Sequence, residues 1–241
     1  MHINSARLLH KASIITQDFL FGRFCYICMA PRSQLFPICR KCLGQMPAIK
    51  NHCLQCGHPL PQMQLCGKCL VNINPINVTI PAFIYQDNIK NAILQIKHQQ
   101  GLHLLQSLAK LMLQKIITTL NSKIILPQAL IAVPSHRCKL WHKGYNQSLE
   151  LTKQLTKLTS ITNLSHSVIK TRNTLDQASL SLKQRKLNLT NCFAVKSNLP
   201  SHIAIIDDVI TTGITVKELA STLKNCGVDK VDVWCLAKAV L

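Results

Sequence analysis

IAIIDDVITTGIT, residues Ile203–Thr215, decides the fold of this 241-residue chain. Ile203 to Ile206 form an apolar run that reads as a strand buried on both faces, and it carries straight into two adjacent carboxylates, Asp207 and Asp208. A Thr/Gly loop follows, after which Val216, Leu219, Ala220 and Leu223 fall on one face of a helix. The backbone N–H groups of 211–215 open that helix, where uncommitted donors and the positive end of the dipole favour an anion. Thr211, Thr212 and Thr215 add hydroxyl donors, Gly213 lets the backbone approach a ligand closely, and Ile214 completes the turn. Asp207 and Asp208 cannot bind a phosphate. At the carboxyl end of a strand they are placed to accept from sugar hydroxyls or to hold Mg2+ through water. An acid pair beside an anion turn points to a ribose 5-phosphate; the alternative is a strand–turn–helix capped by Asp and Thr with no ligand.

Working outward, strands and helices alternate. Ile89, Ile93 and Ile96 predict one helix, and Leu104, Leu108 and Leu111 a second after the break at Gly101. Residues 129–133 read as a buried strand stopped by Pro134, followed by a helix over about 146–158. A strand near 167–171, a short helix near 181–189, a strand over Ile203–Asp207, a helix over 214–225 ended by Gly227 and a strand over 230–237 complete the pattern. Such alternation predicts an α/β fold with a parallel-sheet core flanked by helices. Residues 71–81, VNINPINVTIP, have the composition of a connector.

The amino-terminal part differs. Eight of the twelve cysteines lie between 25 and 69 as four Cys-x-x-Cys knuckles: Cys25/Cys28, Cys39/Cys42, Cys53/Cys56 and Cys66/Cys69. Two thiolates separated by two residues can turn onto one metal ion, and a second knuckle completes a tetrahedral S4 site. Soft thiolates in a closed tetrahedron suit zinc, so two zinc ions are expected; an iron–sulfur cluster would use the same ligands. A disulfide framework or redox pairs fit the repeated spacing and a reducing compartment less well. Sequential pairing of knuckles closes the shortest loops, with an interleaved cross-brace as the other option. His52 and His58 sit beside ligands without being needed as ligands. The expected divisions are a helical segment over 1–24, a zinc module over 25–72 and an α/β domain over 80–241.

Twenty-eight Lys and Arg face nine Asp and Glu, a formal charge of +19. Residues 90–196 alone hold 16 basic side chains against Glu150 and Asp176. A field of one sign implies a polyanionic partner, unless it serves only solubility. The first twenty residues lack the unbroken apolar core of a secretory signal, and no stretch is long and apolar enough to read as a membrane span. Leu8, Ala12, Ile15 and Phe19 fall at helical spacing, which suits a helix packed on the body or lying at a membrane face. The expected location is cytoplasmic, with the inner face of the membrane as a docking option.

Ile203–Thr215 resembles the 13-residue phosphoribosyl pyrophosphate signature of type I phosphoribosyltransferases. Further segments are similar to the ComF family: Tyr85-Gln-Asp-Asn-Ile-Lys-Asn with the later Ile96-Lys97-His98, the basic loop from Pro134 to Gln147, and the spaced series Arg172, Thr174, Gln177, Leu180, Arg185, Asn188, Phe193. With the four knuckles, the resemblance covers nearly the whole chain. It implies a phosphoribosyltransferase fold preceded by a double zinc ribbon. Asp207, Asp208, Thr211, Thr212, Gly213, Ile214 and Thr215 would then bind the phosphoribosyl group. Ser135, His136, Arg137, Lys139, Lys143, Arg172 and Arg185 would meet pyrophosphate or DNA phosphates. Lys139 and Lys143 stand where the family has Arg, which keeps the charge but loses the planar two-pronged grip. Asn146 and Gln147 have two readings of equal weight, as part of this loop or as caps of the following helix.

The resemblance implies a role in natural transformation, with single-stranded DNA as partner and a helicase-like competence protein as another. It also leaves open an active phosphoribosyltransferase, using Mg2+ with phosphoribosyl pyrophosphate on a nitrogen nucleophile, or a sensor of a phosphoribosyl metabolite. No general base and no nucleobase pocket can be named from the sequence.

Overall fold

The computed structural model describes residues 24–31, 36–72, 74–97, 102–120, 125–136, 141, 144–172 and 191–240. The expected helix over 181–189 and, but for Phe24, the helical segment over 1–24 lie outside them. The chain divides into two compact units between Met46 and Pro47.

In the first unit, Cys25 N–H donates to Ala30 O (2.8 Å) and Met29 N–H to Cys25 O (2.8 Å), closing the first knuckle. The second knuckle opens the short helix α1, Arg40–Gly44, with Cys39 as its N-cap.

The second unit repeats the device and then builds the sheet. Cys53 N–H donates to His58 O (2.8 Å) and Gly57 N–H to Cys53 O (2.9 Å), and the fourth knuckle opens α2, Gly67–Leu70. The sheet and its helices follow in the order β1 (Val78–Ile84), α3 (Asp87–Lys97), α4 (Leu102–Leu120), β2 (Ala129–Ala132), α5 (Gln147–Thr159), β3 (Thr162–Asn163), β4 (Val168–Lys170), β5 (Phe193–Val195), β6 (His202–Ile210), α6 (Ile214–Asn225) and β7 (Lys230–Lys238). Five strands pair in the order β1-β7-β6-β2-β3, all parallel. Helix α4 packs with α5 over one face, and α6 covers the other. Ile131, Ile203, Ile205, Val231 and Val233 meet Val216, Leu219 and Leu223 there in a buried cluster. The expected α/β class and parallel core are present.

Three boundaries differ from the sequence reading. The supposed connector 71–81 ends inside β1, which carries Pro81 in register with Cys235. An edge strand tolerates proline because one of its sides makes no ladder. Here that outer side is covered by the second ribbon: Thr79 N–H donates to Leu54 O (2.7 Å), Thr79 Oγ1 to Gln55 O (2.6 Å) and Ile49 N–H to Ala82 O (3.0 Å). The strand near 167–171 leaves the main sheet and pairs antiparallel with β5. Finally, β6 does not stop at the acids; it continues through Asp207 and Asp208 to Ile210, still paired with β7.

At the opposite end of β6, His202 Nε2 meets the buried Asp232 carboxylate at 2.8 Å, with Lys230 Nζ at 3.9 Å. This pair tethers β6 to β7 far from the carboxyl edge.

The two ribbons solve one turn differently. Gly57 has φ +70°, and a Cβ there would lie 2.9 Å from Thr79 Cγ2, whereas Met29 occupies the matching place at φ 56° with a side chain. A left-handed conformation costs an ordinary residue about 1–2 kcal/mol. Met29→Gly should therefore slow zinc release from the first ribbon and stabilise it by about 1 kcal/mol. Gly57→Ala should destabilise the second unit by about 1–3 kcal/mol. Chelator-driven zinc release and urea unfolding read both.

Candidate functional site

Two metal centres come first. The Sγ atoms of Cys25, Cys28, Cys39 and Cys42 lie within 4.8 Å of one another, as do those of Cys53, Cys56, Cys66 and Cys69. Pairing is thus sequential, and the cross-brace option is set aside. Four thiolates around zinc at 2.3 Å stand about 3.8 Å apart. Cys28 and Cys39 are separated by 3.8 Å, and Cys56 and Cys66 by 3.7 Å. Burial opposes a thiolate at Cys25, but backbone N–H groups of Cys39, Cys28 and Ile27 outweigh it and bring the thiol to about 6. At Cys53 burial is likewise outweighed by the amides of Cys66, Cys56 and Gln55, giving about 7. N–H groups aimed at sulfur are what a metal-bound thiolate requires, and the donor set fits zinc. His52 is no ligand: it is buried behind Cys53, its Nδ1 3.3 Å from Cys53 O.

The second region lies at the carboxyl edge of the sheet. Connections after β2 and β6 run in opposite directions, toward β3 and β7 respectively, so a crevice opens between the two strand ends. Two helices point their amino ends at it.

Asn146 caps α5, accepting from Ser148 N–H (3.0 Å) and Leu149 N–H (3.4 Å), while its Nδ2 donates to Val133 O (2.9 Å). The cap role therefore belongs to Asn146, and Gln147 is the first helical residue. The other helix, α6, has Gly213 as its N-cap with φ +79°, and among the described residues no side chain caps it. An alanine there would meet nothing closer than 3.8 Å, so backbone conformation rather than space demands glycine.

Asp207, Thr211, Thr212, Gly213 and Thr215 line a cavity of about 50 Å3 at this turn. Asp208 and Ile214 do not. Neighbouring strand residues point to opposite faces, which separates the two acids, and Ile214 packs on the core. Asp207 Oδ1 accepts from Ser148 Oγ (3.0 Å) and from Asp208 N–H (3.0 Å). Desolvation, and after it the Asp208 charge, pushes the Asp207 carboxyl well above the usual range, with Ser148 pulling the other way.

Beside it, Ser135, His136, Asn146, Ser165, Lys170 and Thr171 line a larger crevice of about 540 Å3. Ser135 and His136 are thus placed in the neighbouring crevice rather than in the small cavity. Arg172 follows β4 and is exposed; Arg137, Lys139, Lys143 and Arg185 lie outside the described residues.

Ser148, Lys238 and Trp141 escaped the sequence reading as site residues. Ser148 and Lys238 act across the fold and leave no local signal. Trp141 is 86% exposed, and in the sequence it stands between Lys139 and Lys143.

Residues 16–70 match the double zinc ribbon domain family. The chain is 33% identical to competence protein F of Haemophilus influenzae, over 82% of this chain and 90% of that protein. It is 32% identical to DNA utilization protein YhgH of Shigella flexneri and 31% identical to that of Escherichia coli K12, in each case over 90% of this chain and 97% of the relative.

Purified protein should carry two zinc ions, and Cys28→Ser and Cys56→Ser should each lose one by elemental analysis. Asp207→Asn should raise the melting temperature at pH 7. A carboxyl whose pKa is raised on folding favours the fold below its ordinary value, about 3.9, and that contribution is lost as pH rises through the raised value. The gain from Asn should accordingly shrink as pH falls toward about 4.

Proposed function

The chain belongs to the competence protein F family, and from that membership we propose that it serves DNA uptake in natural transformation, handling incoming single-stranded DNA with a phosphoribosyl-phosphate-binding domain. The observation that carries the reading is the cavity at residues 207–216, where a half-buried acid faces an uncapped helix start. The helix amides would take the phosphate, with Thr211, Thr212 and Thr215 as hydroxyl donors. Asp207, held by Ser148, would accept from the ribose hydroxyls, and binding would favour its ionised form. Mg2+, when bound with pyrophosphate, supplies charge neutralisation, and Asp208 would hold its waters.

The DNA part rests on charge and surface. A formal +19, concentrated in 90–196, draws phosphates at long range. Ser135, His136 and Lys170 in the larger crevice, together with Arg137, Lys139, Lys143, Arg172 and Arg185, would contact the backbone, and Trp141 would stack on a base. A helicase-like competence protein is the proposed partner of the ribbons. Among the described residues no helix is long and apolar enough to cross a membrane. Work at the inner membrane face would therefore need a partner or the amino-terminal segment.

A phosphoribosyltransferase reading is favoured by the 540 Å3 crevice, which offers room for an acceptor next to the sugar site. A nitrogen nucleophile would attack the anomeric carbon as its bond to pyrophosphate breaks, pyrophosphate leaving with the electron pair and the nitrogen giving up its proton to water. Pyrophosphate release across nucleobases and ammonia tests this directly.

For the main reading, Asp207→Ala/Asp208→Ala should abolish phosphoribosyl pyrophosphate binding by calorimetry, keep its zinc and lower transformation frequency. Intact transformation in a folded double variant would refute the need for the site. Single-strand affinity should fall on the order of 100-fold between 50 and 200 mM salt if about five phosphates are contacted. Trp141→Ala should weaken it about 10-fold. Salt-independent binding would remove the electrostatic basis.

A further inference from the structure

Lys238, the last residue of β7, is 7% exposed and stands behind the anion turn rather than in the cavity. Its Nζ donates to Thr211 O and to Ala239 O, the latter at 3.0 Å. The main chain adds a clamp, since Ala239 N–H donates to Ile210 O (2.9 Å) and Tyr85 N–H to Lys238 O (2.8 Å). No carboxylate pairs with this ammonium among the described residues.

We propose that Lys238 is a positioning residue for the 211–215 turn, fixing the Thr211–Thr212 peptide so that its amide faces the ligand and placing a buried positive charge behind it. The inference rests on the reading of that turn as a phosphate site. In a planar trans peptide the C=O and N–H point opposite ways. A carbonyl of Thr211 held by Lys238 therefore turns the Thr212 N–H away from the lysine, toward the side on which Thr211, Thr212 and Gly213 line the cavity. A donor on the carbonyl also polarises the amide and strengthens its bond to an anion. The ammonium itself adds attraction that water screens little at this depth. Burial lowers the lysine pKa, opposed by the nearby Cys235 and Cys56 sulfurs, and an anion in the cavity would favour the charged form.

Calorimetry with phosphoribosyl pyrophosphate and Mg2+ tests this on the full zinc-loaded chain. Lys238→Met keeps the apolar stem and removes the charge; its affinity should fall on the order of 10-fold or more. Lys238→Arg should recover to within about 3-fold of wild type. In heteronuclear spectra of Lys238→Met the ligand-induced shifts of the Thr212 and Gly213 amides should shrink, while those of the ribbon residues stay as in wild type. Wild-type affinity in Lys238→Met overturns the proposal, and so does an Arg variant as weak as the Met one. Should Lys238→Met fail to fold, the Nζ resonance of Lys238 in 15N-lysine-labelled wild type decides: it should move on ligand addition, and a static signal overturns the proposal. Failure of wild type to bind phosphoribosyl pyrophosphate at all would instead strike the phosphate-site reading on which this rests.

Discussion

The site depends on one constraint: β6 lies between β2 and β7 with all three strands running the same way. Parallel pairing brings their carboxyl ends to one edge, and opposed crossovers open a space there that no loop needs to fill. The backbone then does most of the work. It delivers an acid three residues before the end of β6 and, just past Ile210, a helix start at Gly213. Side chains refine the result: Ser148 reaches Asp207 from α5, and Lys238 holds the turn from β7.

How much of this can be read from sequence follows from how local each signal is. The cysteine knuckles are local, and their spacing announced two S4 centres; the partner of each knuckle is a through-space fact that spacing alone left undecided. The strand–acid–turn–helix series is local as well, and the parallel core followed from it. β1 was hidden because Asn and Pro around 72–81 mimic a linker, whereas its stability comes from β7 on one side and the ribbon on the other. The ending of β6 was placed early because a carboxylate looks like a strand terminator. Pairing with β7 overrides that propensity. Ser148 lies 59 residues from Asp207, beyond any periodicity argument.

The electrostatics divide by position. The chain as a whole is strongly basic, yet its sheet keeps acids at both ends. Asp232 meets His202 Nε2 and, at longer range, Lys230 Nζ, and it ties β6 to β7. Among the described residues Asp207 accepts from a hydroxyl and an amide, and its carboxyl is pushed well above the usual range by desolvation. A raised carboxyl of this kind costs the fold stability at neutral pH.

The cover on β1 has a practical side. An apolar strand whose outer amides and carbonyls are occupied by Pro47, Ile49 and Leu54 is safe only while that ribbon keeps its shape. Oxidising or stripping the Cys53–Cys69 centre would bare a ready template for strand addition by another chain. Metal-poor preparations would thus be lost to aggregation before any defect in ligand binding could be seen.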